Sequence, residues 1–105
     1  MDQEQDNKTF YKMADSFIDV ANAHCDNEQT STVGSSLLFA TARFSSFVVA
    51  SHAEDKEAYL AEIDNATEFF SKEFKRMLVE NLEEYKSVFK EAPKYEHLMN
   101  KEEKE

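Results

Sequence analysis

The chain has 105 residues, of which 22 are acidic and 12 are Lys or Arg, so its formal net charge is −10 at pH 7. A surface this negative repels phosphate backbones and anionic lipids, which argues against nucleic-acid binding and membrane binding. One Gly and one Pro are too few for a turn-rich β fold, and the composition is typical of a helical protein. We therefore expect one all-α domain, residues 1–105, with an ordered core over about 7–92 and a charged tail over 93–105.

The cysteine content and the N-terminal sequence both bear on the compartment. The single cysteine, Cys25, cannot form an intramolecular disulfide. The N-terminal stretch MDQEQDNK is acidic, whereas a secretory signal requires a basic region followed by an apolar run. Both features predict a cytoplasmic protein.

The first predicted helix runs from about Asn7 to His24 and has one apolar face. Apolar residues recur at intervals of three and four, which places them on one side of a helix. The sequence CDNEQTST then interrupts the pattern, and Ser31 or Thr32 is a candidate N-cap for the next helix. The residues of the apolar face are Phe10, Met13, Ala14, Phe17, Ile18, Ala21 and Cys25.

The second predicted helix, about Thr32 to Ser51, is apolar around most of its circumference. Such a helix is normally surrounded by other helices, so we expect it at the centre of three antiparallel helices. Its most apolar run, residues 37–50, contains Arg43 and is shorter than the ~20 residues that a bilayer span needs. The sequence therefore predicts a buried helix.

The third predicted helix begins near Asp55 and meets no Pro or Gly before Pro93. In one alternative it bends near Asp64–Thr67, where Asp, Asn and Thr side chains compete with the helix for backbone hydrogen bonds. In the other alternative it is uninterrupted, and its second half projects beyond the bundle. A projecting apolar stripe needs a partner, and the candidate interface residues are Phe74, Leu78, Leu82 and Tyr85.

Three stretches of the sequence resemble a known family. They are DSFIDVANAH, SSLLFATARFSSFVV and EFFSKEFKRMLVENLEEY, and the most specific parts are Ala21–Asn22 and the ATARFSSF of residues 40–47. The family comprises small proteobacterial helical proteins and is known only as a domain of unknown function. The resemblance covers roughly residues 10–90. It implies a compact helical fold in the bacterial cytoplasm, and it implies no activity, ligand or catalytic residue.

Arg43 is the most unusual residue of the sequence, because a buried guanidinium without a partner is very costly. Its stem can lie along the helix while the guanidinium pairs with an acid of another helix, such as Asp15, Asp19 or a residue of the third helix. It can instead lie at a subunit interface, where Arg is enriched, or bind an anionic ligand through its planar fork. Asn22, on the flank of the first helix, is a candidate for a helix–helix hydrogen bond or a ligand contact.

The sequence contains no recognisable catalytic, metal or cofactor motif. His24, His52 and His97 are scattered, and neither Glu-x-x-His nor His-Glu-x-x-His occurs. Cys25 falls on the apolar face and is typical of a small core residue. The serines lack the glycines of a nucleophile elbow. We predict no catalytic residue, no metal and no cofactor.

These observations favour a non-catalytic interaction protein that self-associates, with a dimer as the preferred assembly. The alternative is a binder of a small anionic molecule, with a pocket between the first two helices near Arg43 and Asn22. A DNA mimic is a third possibility for an acidic protein, although Lys72, Lys75 and Arg76 interleave with the acids.

Overall fold

The computed structural model describes residues 3–89, and in this range the chain is helical with two connecting segments, 25–29 and 53–55, and no strand. Three α-helices follow one another, α1 (Gln3–His24), α2 (Thr30–His52) and α3 (Lys56–Glu84), and a short 3₁₀ helix ends the described range at Tyr85–Phe89. The all-α prediction with three main helices is confirmed. The tail predicted over 93–105 lies outside the described residues.

The chain divides into two compact units, Met1–Glu54 and Asp55–Glu105. In the described residues, the first unit is a hairpin of α1 and α2, and the second consists of α3 and the 3₁₀ helix. The boundary falls between α2 and α3, where Ala53 ends α2 and donates its backbone N–H to the carbonyl of Ala50.

The turn between α1 and α2 is closed by backbone hydrogen bonds. The N–H of Cys25 donates to the carbonyl of Ala21 at 3.1 Å, and the N–H of Glu28 donates to the carbonyl of His24 at 3.0 Å. The next helix is capped by Gln29, whose side chain makes no capping hydrogen bond, so the predicted caps Ser31 and Thr32 are wrong. Helices joined by so short a turn are antiparallel neighbours.

The hairpin has a very small core. Val33, at 8% exposure, is the one buried residue among residues 3–89. Ala21 and Cys25, which flank the turn, are half-buried. Most of α2 is exposed in the single chain, and Phe39 reaches 69% exposure. Within the hairpin, α1 therefore covers little of α2, although the pattern of the sequence predicts a buried helix.

The third helix is uninterrupted. At its start the Asp55 side chain accepts a hydrogen bond from the backbone N–H of Ala58 at 2.9 Å, which satisfies one of the free N–H groups of the first turn. Thr67 donates to the carbonyl of Ile63 at 2.8 Å within the same helix. Of the two alternatives, the structure thus shows the long helix, without an end at Asp64–Thr67.

Candidate interaction surfaces

One side of α3 is a continuous apolar surface, which we call the α3 stripe. Ile63 lies two turns before Phe70, and each later member lies three or four positions after another member, so all of them lie on one side of the helix. Their exposure in the chain ranges from 37% to 66%. The stripe comprises Ile63, Phe70, Met77 and the four predicted interface residues Phe74, Leu78, Leu82 and Tyr85.

The other side of α3 carries a ladder of ion pairs within the helix. Lys72 pairs with Glu68 at 3.2 Å, and Arg76 pairs with Glu73 at 2.7 Å and with Glu80 at 3.3 Å. These pairs join residues one turn apart, the spacing at which opposite charges support a helix. The helix is therefore strongly amphipathic, with charge on one side and the α3 stripe on the other.

Glu73 and Arg76 shift each other's pKa. The Arg76 guanidinium donates a hydrogen bond to Glu73, and this bond lowers the pKa of the Glu73 carboxyl below its ordinary value. Desolvation opposes the shift, and the positive charge of Arg76 adds a smaller lowering. The same hydrogen bond and the nearby Glu73 and Glu80 charges raise the pKa of Arg76. Both shifts stabilise the charged forms that hold the ladder together.

The structure does not bring the polar residues predicted on the hairpin together. Arg43, Asn22, Asp15 and Asp19 are all exposed. The ion pairs of the described range are all formed by residues of α3 and the 3₁₀ helix, so Arg43 pairs with neither Asp15 nor Asp19 within the chain. The interhelical tie predicted from the sequence is therefore not formed between α1 and α2 of one copy.

A groove of about 330 Å³ lies between α1 and α2, next to the turn. Its floor is apolar, and its lining includes the polar residues His24 and Glu28 but neither Lys nor Arg. The sequence analysis placed a pocket between the same two helices, but near Arg43 and Asn22. The groove includes neither residue and is formed by residues near the turn. The lining residues are Phe17, Val20, Ala21, His24, Glu28, Thr32, Val33, Ser36, Leu37 and Ala40.

The histidines and the cysteine are dispersed in the described range. Residues 3–89 contain no group of three or more His, Cys, Asp or Glu side chains placed to hold a metal ion. His52 lies with Nδ1 2.9 Å from the carbonyl of Val48 in its own helix, and Cys25 is a half-buried free thiol. His97 lies outside the described residues.

One helix in the described range, α2, is long and apolar enough to cross a membrane by length and composition alone, and 6% of its most apolar window is buried. A core helix of a soluble protein, which is mostly buried, and a signal sequence near the N-terminus meet the same criterion. Arg43 lies within this helix, and a charge at the centre of a bilayer is costly. The prediction that the protein does not bind membranes remains a prediction.

The structure defines an all-α protein built from a helical hairpin and a long amphipathic helix. The chain belongs to the family described as "Protein of unknown function (DUF3144)", whose sequence model matches residues 10–86. The match confirms the family resemblance noted in the sequence. No curated protein and no solved structure matches the chain.

Proposed function

We propose that the protein is a non-catalytic interaction domain of the bacterial cytoplasm that self-associates through the α3 stripe, with a dimer as its assembly. The observation that carries this proposal is the exposure of the stripe. Apolar side chains aligned along a single helix face are stable in water only when another surface covers them. A second copy presents the same stripe, and two such helices can pack side by side.

The area of the stripe supports a dimer. Its seven side chains are 37% to 66% exposed, which corresponds to roughly 600 Å² per copy when a large side chain is taken as about 150–250 Å². One partner in a stable protein–protein interface contributes about 800 Å². The stripe therefore supplies most of the area that a dimer of this chain requires.

The groove between α1 and α2 offers less support for the alternative, a binder of small anionic molecules. Its lining carries the carboxylate of Glu28 and no Lys or Arg. A carboxylate repels an anion, and no guanidinium or ammonium is present in the lining to compensate. Self-association is therefore the function we favour.

The proposal is tested by placing charges in the stripe. The double variant Leu78→Asp/Leu82→Asp should raise the dissociation constant of the dimer at least about 100-fold, because two buried apolar contacts become unpaired carboxylates. Light scattering over a concentration series measures the mass, and circular dichroism measures the helical content.

The matched control is Phe69→Asp. Phe69 is also an exposed apolar residue of α3, but it lies about 100° around the helix from Phe70, on the side of the ion pairs, and no stripe residue lies three or four positions from it. It introduces the same residue into the same helix and should leave the dimer intact. A wild-type chain that stays monomeric at tens of micromolar would overturn the proposal, and so would equal weakening of the dimer by both variants.

A further inference from the structure

We propose a second contact between copies, in which Arg43 on α2 of one copy pairs with Asp15 and Asp19 on α1 of another. The proposal rests on the self-association proposed above, but it concerns the hairpin instead of α3. It assigns a partner to the most unusual residue of the sequence. The partner is a second copy of this chain.

The donor surface is a short row of residues on α2. Phe39, Arg43 and Phe47 are four residues apart, so they lie one above the other on one side of the helix. The two aromatic rings are 69% and 58% exposed, and Arg43 makes no ion pair within residues 3–89. An unpaired guanidinium between two exposed rings combines the aromatic and Arg side chains that dominate protein interfaces.

The acceptor surface lies on α1. Asp15 and Asp19 are one turn apart, exposed, and without an ion pair in the described range. Tyr11 and Ile18 are exposed apolar residues at neighbouring positions of the same side. Asn22, one turn beyond Ile18, adds an amide oxygen that a guanidinium can also use. The surface thus offers acids for Arg43 and apolar side chains for the two rings.

The geometry of the hairpin explains why one copy cannot make this contact with itself. The side of α1 that faces α2 is marked by Phe17, Ala21 and His24, which line the groove. At about 100° per residue, Asp15 and Asp19 point to the opposite side of α1. The acids of one hairpin are therefore turned away from its own α2 and are accessible to another copy.

The distribution of charge favours a second copy as the occupant. Arg43 is the only Lys or Arg between residues 13 and 55, in a chain of net charge −10. A phosphate-rich partner would meet this single cation within an acidic surface, which opposes binding. The planar fork of arginine matches carboxylates. In a dimer with two-fold symmetry the contact would form twice, because Arg43 of each copy would pair with Asp15 and Asp19 of the other.

The test is an exchange of charges between copies. Arg43→Glu alone, and Asp15→Lys/Asp19→Lys alone, should each raise the dissociation constant about 100-fold, because each homodimer then places like charges together. An equimolar mixture of the two variants should return the dissociation constant to within about threefold of the wild-type value, because both contacts of the mixed dimer regain opposite charges. Light scattering or sedimentation measures all of these constants.

Three comparisons make the result decisive. Lys56→Glu changes the net charge as much as Arg43→Glu does, but at the start of α3, and it should leave the dissociation constant unchanged. Circular dichroism of every variant reports whether its helices are retained, and Arg43→Gln serves as the milder substitution if Arg43→Glu loses helical content.

The outcomes separate this inference from the proposed function. If the wild-type chain is a monomer, both proposals are wrong. If the chain assembles and Arg43→Glu and Arg43→Gln assemble as tightly as the wild type, self-association stands and the Arg43 contact is wrong. If the triple variant Asp15→Lys/Asp19→Lys/Arg43→Glu regains assembly but the mixture does not, the pair lies within one chain and the inference is also wrong.

Discussion

Asp55 shows how a single side chain sets the start of an element. Its backbone is extended, and its side chain accepts the N–H of Ala58, so it closes the first turn of α3. The sequence indicated Asp55 as a helix start because Asp is favoured at the N-terminus of a helix, where it caps the turn and complements the dipole. Here the local chemistry alone was sufficient.

Removal of this cap should destabilise α3. Asp55→Ala leaves the N–H of Ala58 without its side-chain acceptor, and we expect the free energy of unfolding to fall by about 1 kcal/mol. Urea denaturation followed by circular dichroism measures the change. Asp55→Asn is the control, since its amide oxygen can still cap and should retain most of the stability. Equal losses in both variants would show that the charge, and not the cap, is what matters.

Arg43 marks the limit of sequence reasoning at the level of the residue. An arginine within an apolar run is visible as an anomaly, and the sequence also identified Asp15 and Asp19 as acids of suitable spacing. Which copy supplies those acids depends on how α1 is rotated about its axis against α2. The apolar periodicity of α1 places Phe17 and Ala21 toward α2 and so turns Asp15 and Asp19 away from it. A pattern within one helix does not show which residues a second copy brings to Arg43.

At the scale of the element, periodicity located all three helices but placed their ends less well. The second helix begins at Thr30, ahead of the predicted start at Thr32. The third ends at Glu84 and passes into a 3₁₀ helix, well before Pro93. The Thr67 hydroxyl does hydrogen-bond to the backbone, as predicted. Its acceptor is the carbonyl of Ile63 in the same helix, and the bond does not interrupt α3. The ladder of ion pairs that follows, from Glu68 to Glu80, supports the continuous helix.

The ladder predicts a specific response to acid. The pKa of Glu73 is lowered in the folded chain, so its pairing stabilises α3 above the ordinary pKa of a glutamate and is lost as the pH falls through the lowered value. Titration by nuclear magnetic resonance should show Glu73 ionising at a lower pH than it does in the Arg76→Gln variant. An unchanged pKa of Glu73 in Arg76→Gln would contradict the role assigned to Arg76.

The lowered pKa of Glu73 also predicts how the stability of the protein depends on pH. Glu73→Gln should be less stable than the wild type at neutral pH, and the two should converge once the pH is below the lowered pKa of Glu73. Glu62→Gln is the matched control, because Glu62 is an exposed acid of the same helix that makes no ion pair in the described range. It removes a carboxylate without removing a partner of Arg76.

At the scale of the whole molecule, the notable fact is how little apolar surface each unit buries. The hairpin contains the one buried side chain of the described range, Val33, and α3 presents its stripe largely uncovered. The composition predicts enough apolar residues for a core. It does not indicate whether those residues are buried within one chain or between copies, because both arrangements use the same apolar residues.

If the missing burial comes from a second copy, folding and assembly are coupled, and stability must depend on concentration. A dimer gains about 1.4 kcal/mol of stability for each tenfold increase in concentration, so the thermal midpoint should rise by about 5 °C per tenfold increase. Phe69→Asp should keep this dependence, whereas Leu78→Asp/Leu82→Asp should lose it and unfold at a lower temperature. A midpoint that stays constant over a hundredfold range of wild-type concentration would show that one chain folds without its partner. Co-sedimentation of the protein with lipid vesicles would instead place the apolar face of α2 against a bilayer.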